Sequence, residues 1–171
     1  WTGLPFDRSS NDLTAHTLRA WDTWRESFSP QTRAQLDKPT AAALRFLAAC
    51  QDPDGAWTPL WFGNQHVPGE TNRTHGTAHV LLALAAHPHT PTHVNLASMR
   101  SRASAWLIAA QNPDGGWGGD SSTTPSSIEE SALAVDALAT YALTDPPEGT
   151  SSALLPAVRS GAAFLVAQTK N

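Results

Sequence analysis

The sequence is poor in the residues and patterns that several protein classes require. It holds one cysteine and one methionine among 171 residues, so an internal disulfide is excluded. Cys50 falls in an apolar helical pattern and is predicted to be a small buried thiol. The longest apolar run, Val80 to Ala86, falls far short of the roughly 20 residues that span a bilayer. The net charge of −4 offers no attraction to nucleic acid, and we expect no nucleic-acid partner.

Strand signals are absent as well. Alternation of apolar and polar residues, with β-branched side chains, never persists for five positions. Apolar residues recur at helical spacing instead, and the sequence predicts an all-α fold with six or seven helices in a single domain, residues 1–171. The predicted helices are Asp12–Phe28, Thr40–Cys50, Thr77–Ala86, Ser98–Ala110, Ile128–Leu143 and Ala157–Ala167.

A repeat organises these helices. The segment from Gln51 to Trp57 and the segment from Gln111 to Trp117 match at five of seven positions, with their glutamines 60 residues apart. Each follows a helix and contains Pro-Asp-Gly, which is turn chemistry. Gln168 begins a third copy that lacks its glycine and tryptophan. Together with the opening at Trp1, this predicts a fragment of a longer repeat protein.

The helices are of two kinds. Ile128–Leu143 carries apolar residues nearly all round, which is typical of a helix covered on both sides. Ser98–Ala110 shows a polar side with Arg100, Ser101 and Ser104, as an outer helix would. The sequence therefore predicts two concentric helical layers, the inner and outer helices alternating along the chain.

These residues resemble a known family. Gln-x-x-x-Gly-x-Trp after outer helices is similar to the QW motif of the squalene–hopene and oxidosqualene cyclases. Asp12-Leu-Thr-Ala-His16 resembles the family's Asp-Val-Thr-Ala-His, Trp61-Phe-Gly-Asn64 its Trp-Gly-Val-Asn, and His75-Gly-Thr77 its Tyr-Gly-Thr. The resemblance implies a partial α–α toroid, from the C-terminal part of the catalytic toroid.

The resemblance also implies a reaction, the general-acid cyclisation of a polyprenyl hydrocarbon of the squalene type. In the family the acid lies in an Asp-x-Asp-Asp motif upstream of the Asp-x-Thr-Ala-His segment. This chain has no such motif, so it is expected to be inactive alone. No cofactor is expected, and the parent protein is expected in the cytoplasm or in peripheral contact with a membrane. Alternatives are a non-catalytic toroid that binds an isoprenoid or a peptide, and a relative of the prenyltransferase β-subunits.

Asp12 and His16 are the candidate catalytic residues. Spaced i and i+4, they share one helix face, where a carboxylate can orient an imidazole. The resemblance implies that they support the absent acid, because the family's matching histidine hydrogen-bonds it. Asp12 has an equally good structural reading, as the third residue of a helix capped by Ser9.

Three further residues are candidates for a substrate cavity. The resemblance places Trp61 and His75 there, since aromatic faces stabilise carbocations. Glu129 follows Ser126-Ser127 at a position where the family is neutral, whereas Glu130 fits a capping box with Ser127. An alternative for His75 is a metal site with His79 and His66, which we rank well below a cavity role; no metal is expected.

The QW residues themselves are predicted to be structural. The glutamine is expected to bond backbone groups left free at a neighbouring helix end, and the tryptophan to pack over the turn. The residues with this predicted role are Gln51, Gly55, Trp57, Gln111, Gly115 and Trp117.

Overall fold

The computed structural model describes residues 8–87, 94–121, 126–144 and 151–170. The opening at Trp1 and the last residue, Asn171, lie outside these ranges. The described residues form six α-helices and no named strand, which confirms the all-α prediction. They are α1 (Asn11–Trp24), α2 (Pro30–Ala49), α3 (Arg73–Ala86), α4 (Leu96–Ala109), α5 (Ile128–Thr144) and α6 (Ser151–Gln168), with 3-10 turns at Arg25–Ser27 and Pro68–Glu70.

The six helices alternate between two layers. The inner helices α1, α3 and α5 pack side by side, and each packs against the outer helix that follows it in the chain. The middle helix α3 is buried on every side, from Thr74 to Ala85. The two layers are those that the sequence pattern predicts, and they form the partial α–α toroid that the family resemblance implies.

Two outer helices are longer than predicted. The helix α2 begins at Pro30 and not at Thr40, with Pro39 inside it, and α6 begins at Ser151 with Pro156 inside it. Each proline removes one backbone hydrogen bond from its helix. Its fixed φ still suits a helix, and the Oγ atom of Ser29 caps α2 by accepting the N–H of Thr32 at 3.1 Å.

Burial also differs from the predicted pattern. The helix α5 buries one face only: Ala134 and Leu138 are fully buried, whereas Ile128 and Leu143 are exposed. The predicted polar side of α4 was wrong for Arg100 and Ser104, which are buried. The Nε atom of Arg100 donates to the carbonyl of Leu84 at 2.8 Å, so its guanidinium links α4 to α3 and does not face solvent.

Candidate active site

The two QW turns have the same backbone structure. In the first, the N–H of Asp52 donates to Ala56 O and the N–H of Gly55 donates to Asp52 O, both at 2.9 Å. The second repeats these bonds between Asn112, Gly116 and Gly115 at the same distances. Gly55 and Gly115 have φ of 104° and 88°, a left-handed conformation that glycine adopts without a steric penalty.

The QW glutamines tie each turn to the next outer helix. The Nε2 atom of Gln51 donates to Gly55 O at 2.9 Å and to Met99 O, in α4, at 3.1 Å. The Nε2 atom of Gln111 donates likewise to Gly115 O and to Ala157 O, in α6. The acceptors are carbonyls within the first turns of the next helix, and not the free groups of a helix end that we predicted.

The QW tryptophans connect the outer layer to the inner layer. Trp57 and Trp117 are fully buried, and each indole N–H donates to a carbonyl of the preceding outer helix. Their backbone N–H groups donate to Thr77 Oγ1 at 3.0 Å and to Ser131 Oγ at 2.8 Å. Thr77 and Ser131 are therefore equivalent positions of α3 and α5.

This equivalence relates two of the predicted cavity residues. His75 and Glu129 each precede the equivalent hydroxyl by two residues, so they occupy the same position in the first turn of successive inner helices. Asp12 lies in the first turn of the third inner helix, α1. The charges of Asp12 and Glu129 both act on the His75 ring. The beginnings of three neighbouring helices thus bring these groups together.

Four rings form a continuous stack at this place. The centroids of His16 and His79 are 4.4 Å apart, and His79 meets His75 edge-on at the same distance. The Phe62 ring covers the other side of His75 at 4.4 Å with an interplanar angle of 16°. We call His16, His79, His75 and Phe62 the ring stack; it links α1, α3 and the loop that precedes α3.

The predicted contact between Asp12 and His16 differs in detail. Helix α1 is capped at Ser10, not Ser9, and the Ser10 hydroxyl donates to Asp12 Oδ1. The second carboxylate oxygen of Asp12 is buried without a hydrogen-bond partner, and no bond joins it to His16 in the described residues. His16 is exposed and rests on the His79 ring, so its neighbour ring and not the carboxylate orients it.

The buried histidines are held neutral. Burial lowers the pKa of His75, against the opposing charges of Asp12, Glu129 and Glu130. Burial also lowers the pKa of His79 to about 4, with His75 and His16 adding to the effect. Both ring nitrogens of His75 are buried without a partner. A neutral imidazole offers one N–H donor and one acceptor, and within the described residues neither of these groups of His75 is used.

The aromatic residue against His75 was not the one selected from the sequence. Trp61 has 62% of its surface exposed and makes no ring contact among the described residues, whereas its neighbour Phe62 stacks on His75. The resemblance pointed to tryptophan because the family has one there. Phe62 lies in the same segment, but nothing in the linear sequence shows which ring turns toward α3.

Other sequence-derived candidates fall around this site. Glu129 is exposed beside an open cavity of about 410 Å³ that Gly63–His66 and Glu130 also line. His66 is exposed in that loop and does not join His75 and His79. Across residues 8–87, 94–121, 126–144 and 151–170, no group of three histidine, cysteine or acidic side chains is placed to hold a metal ion.

Within the described residues, no helix is both long enough and apolar enough to cross a membrane.

Comparison with known proteins agrees with this architecture. Residues 3–171 match the family profile described as the squalene-hopene cyclase C-terminal domain. Enfumafungin synthase of Hormonema carpetanum is 35% identical over 116 residues, which cover 66% of this chain and 8% of that protein. The squalene–hopene cyclase of Bradyrhizobium diazoefficiens is 29% identical over 181 residues, covering 96% of this chain and 22% of that protein.

A solved structure shares the fold. The ent-copalyl diphosphate synthase from Streptomyces platensis superposes with a TM-score of 0.74 at 25% identity, over 96% of this chain and 28% of that chain. The chain thus spans less than a third of each of these proteins. The repeated QW turns, the two helical layers and the profile match across nearly every residue lead to one conclusion: the chain belongs to the squalene–hopene cyclase C-terminal domain family.

Proposed function

We propose that this chain forms part of a class II terpene cyclase, in which the ring stack and its neighbouring carboxylates surround the acid that starts cyclisation of a polyprenyl substrate. The observation that carries the proposal is the convergence of Asp12, His16, His75 and Glu129 at the beginnings of three neighbouring inner helices. Membership of the cyclase family supports a cyclase-like role.

The chemistry assigned to each group follows from its state. A general acid protonates an alkene, and the carbon left behind is a cation that an electron-rich, water-poor surface stabilises. Neutral His75, which is buried, and the half-exposed Phe62 ring on it offer the electron-rich part of such a surface. His16, exposed at the end of the ring stack, is the group that accepts a hydrogen bond from, or donates one to, a carboxylic acid outside this chain. Asp12 adds a buried negative charge behind it.

The proposed substrate is a polyprenyl hydrocarbon of the squalene type. The named relatives include a squalene–hopene cyclase and a copalyl diphosphate synthase, so a prenyl diphosphate is the competing class. The neighbourhood of His75 carries three acidic side chains, Asp12, Glu129 and Glu130. This charge suits an uncharged alkene and a developing cation, which both classes present at their reacting end, so the choice of squalene rests on the family match.

The test is an assay of the protein that contains this chain. Purified protein is incubated with squalene and, separately, with geranylgeranyl diphosphate, and the products are identified by mass spectrometry. Cyclised hydrocarbon from squalene is the expected result. Cyclised diphosphate alone would correct the substrate class, and no product from either would favour the non-catalytic binding toroid.

A further inference from the structure

The carboxylate of Glu130 joins three elements of the structure. Only 5% of the residue is exposed. Its Oε1 atom accepts from Asn64 Nδ2 at 3.0 Å and from Asn72 Nδ2 at 2.8 Å, and its Oε2 atom accepts from the Ser127 hydroxyl. None of the ion pairs in the described residues includes it. Hydrogen bonds therefore hold this buried charge.

These bonds fix the direction of both asparagine side chains. Asn72 caps α3, and its Oδ1 atom accepts the backbone N–H of His75 at 3.1 Å while its Nδ2 atom donates to Glu130. The Oδ1 atom of Asn64 accepts the backbone N–H of His66 at 2.9 Å while its Nδ2 atom donates to Glu130. Each amide thus has one end on the backbone and the other on the same carboxylate.

Asn64 also closes the loop on itself. Its backbone N–H donates to Glu70 O at 3.1 Å, and its carbonyl accepts from the N–H of Val67 at 3.0 Å. A Cβ placed on Gly119 would lie 2.6 Å from the Cβ of Asn64, so the loop packs directly on the backbone just after the second QW turn. Fixing Asn64 therefore fixes the loop that carries Phe62 two residues earlier.

We infer that Glu130 is a positioning residue for the site, because it holds both partners of the stack between Phe62 and His75. The hydrogen bond to Asn64 holds the loop that carries Phe62, and the hydrogen bond to Asn72 holds the beginning of α3, which carries His75. The inference rests on the proposed function only for the role of the ring stack in cyclisation, and not for the contacts that hold the stack. A capping role within α5, which the sequence predicts, accounts for the bond to Ser127 and not for the bonds to the asparagines.

A carboxylate binds this set of donors more strongly than an amide would. Both asparagines donate to the same oxygen, Oε1, and the Ser127 hydroxyl donates to Oε2. A glutamine can keep its oxygen on the asparagines by turning its NH2 group toward Ser127, but it loses the negative charge. Hydrogen bonds to an ionised acceptor are roughly twice as strong as neutral ones, so both asparagine bonds should weaken.

The first experiment compares Glu130→Gln with Glu129→Gln in this chain by hydrogen exchange. Both variants remove one negative charge from adjacent positions, but Glu129 is exposed and holds neither asparagine. We expect the amides of residues 64–70 to exchange at least about tenfold faster in Glu130→Gln only. The ring protons of His75 should lose the upfield NMR shift caused by the stacked Phe62. Equal effects of the two variants would overturn the inference.

Two further variants separate positioning from capping. Ser127→Ala removes the cap and leaves the asparagine bonds, so it should leave the loop amides and the His75 shift unchanged. Asn64→Asp keeps an acceptor for the His66 N–H but places a second carboxylate against Oε1 of Glu130, so it should release the loop amides and the stack. Loss of the stack in Ser127→Ala, or unchanged loop exchange in Asn64→Asp, would contradict the assignment.

Folding is checked by circular dichroism before either comparison. If Glu130→Gln proves unfolded, Asn64→Asp alone tests the link, because it removes the donor to Glu130 and keeps the acceptor for the His66 N–H and both helix caps. Release of the loop amides with retained helicity supports the inference, and unchanged exchange overturns it. No substrate enters these measurements, so they are independent of whether the cyclase assay succeeds.

Discussion

At the scale of single residues, two glycines with the same backbone preference differ in what surrounds them. Gly55 and Gly69 have φ of 104° and 77°. A Cβ on Gly55 would lie 2.6 Å from the carbonyl oxygen of Arg102, whereas a Cβ on Gly69 meets nothing within 4 Å. The first glycine therefore serves close packing as well as turn conformation.

This difference predicts unequal costs for the same substitution. Gly69→Ala should lower the free energy of unfolding by about 1–2 kcal/mol, the cost of a left-handed alanine. Gly55→Ala should cost about 1–3 kcal/mol more, because the turn must move away from α4. Urea denaturation of both variants measures this, and equal costs would mean that the turn yields without strain.

The pKa of His79 predicts how stability depends on pH. Its value is about 4 in the folded chain and 6.5 in the unfolded chain, so the unfolded state binds the proton more readily. The contribution is fully present above pH 6.5 and is lost as the pH falls from 6.5 toward 4. About 3 kcal/mol should disappear over this window.

His79→Phe provides the matched control for that prediction. The variant keeps a ring between His16 and His75 but cannot titrate, so its stability should fall less between pH 6.5 and 4 than that of the wild type. Guanidinium denaturation at several pH values compares the two. Parallel loss of stability in both proteins would show that His79 does not carry the effect.

Side-chain contacts were the least predictable feature at this scale. The spacing of Asp12 and His16 correctly places them on one helix, yet the carboxylate bonds Ser10 and the imidazole rests on His79. Helical spacing fixes a shared face but not the rotamer, which the neighbouring helix decides. For the same reason Phe62, and not Trp61, was found against His75.

At the scale of elements, helix existence was predictable and helix length was not. Every predicted helix is present. However, α2 and α6 begin earlier than predicted and contain Pro39 and Pro156 in their interiors. The inner and outer assignment of the helices also held. Burial on all sides was predicted for α5 but is found for α3. Among the described helices, α3 is the one that packs against an inner helix on each side.

The QW glutamines offer a prediction about links between elements. Gln111→Ala removes the bonds from Nε2 to Gly115 O and to Ala157 O, and it should lower the free energy of unfolding by about 1–3 kcal/mol. Gln65→Ala, in an exposed loop, is the control and should change it by less than about 0.5 kcal/mol. Urea denaturation tests this; equal, small effects would show that the glutamine does not hold α6 to the turn.

At the scale of the whole molecule, apolar side chains are exposed to solvent on the outer helix α6 and at the C-terminal ends of the inner helices α1 and α5. Leu143 and Trp24 are 86% and 60% exposed, and Leu155 and Val166 expose about half their surface. Repeat units need neighbours or caps to cover such faces. We therefore predict that this chain self-associates at high concentration, as sedimentation velocity would show.

The double variant Leu155→Lys with Val166→Lys should shift that equilibrium toward monomer, because it places two charges on the open side of α6. Lysine at exposed Gln35 and Gln65 is the matched control and should leave association unchanged. A clean wild-type monomer at high concentration would contradict the prediction.

The two helical layers of the whole chain followed from its repeat and the toroid from the family resemblance of its QW motifs, which together fix the architecture without fixing helix lengths. The site did not follow in the same way. The sequence supplied Asp12, His16, His75 and Glu129 as separate candidates, and only the packing of α1, α3 and α5 shows that they converge. Glu130 was read as a cap because its partners lie 58 and 66 residues away in the chain.

The most direct test of the cyclase proposal is the turnover of squalene by the protein that contains this chain, with His16→Ala compared with Thr17→Ala on the same helix. The account predicts that His16→Ala lowers turnover by about 10²-fold or more, as loss of a proton-transfer partner does, while Thr17→Ala and the fold remain unchanged. Cyclisation at the full rate by His16→Ala would contradict it.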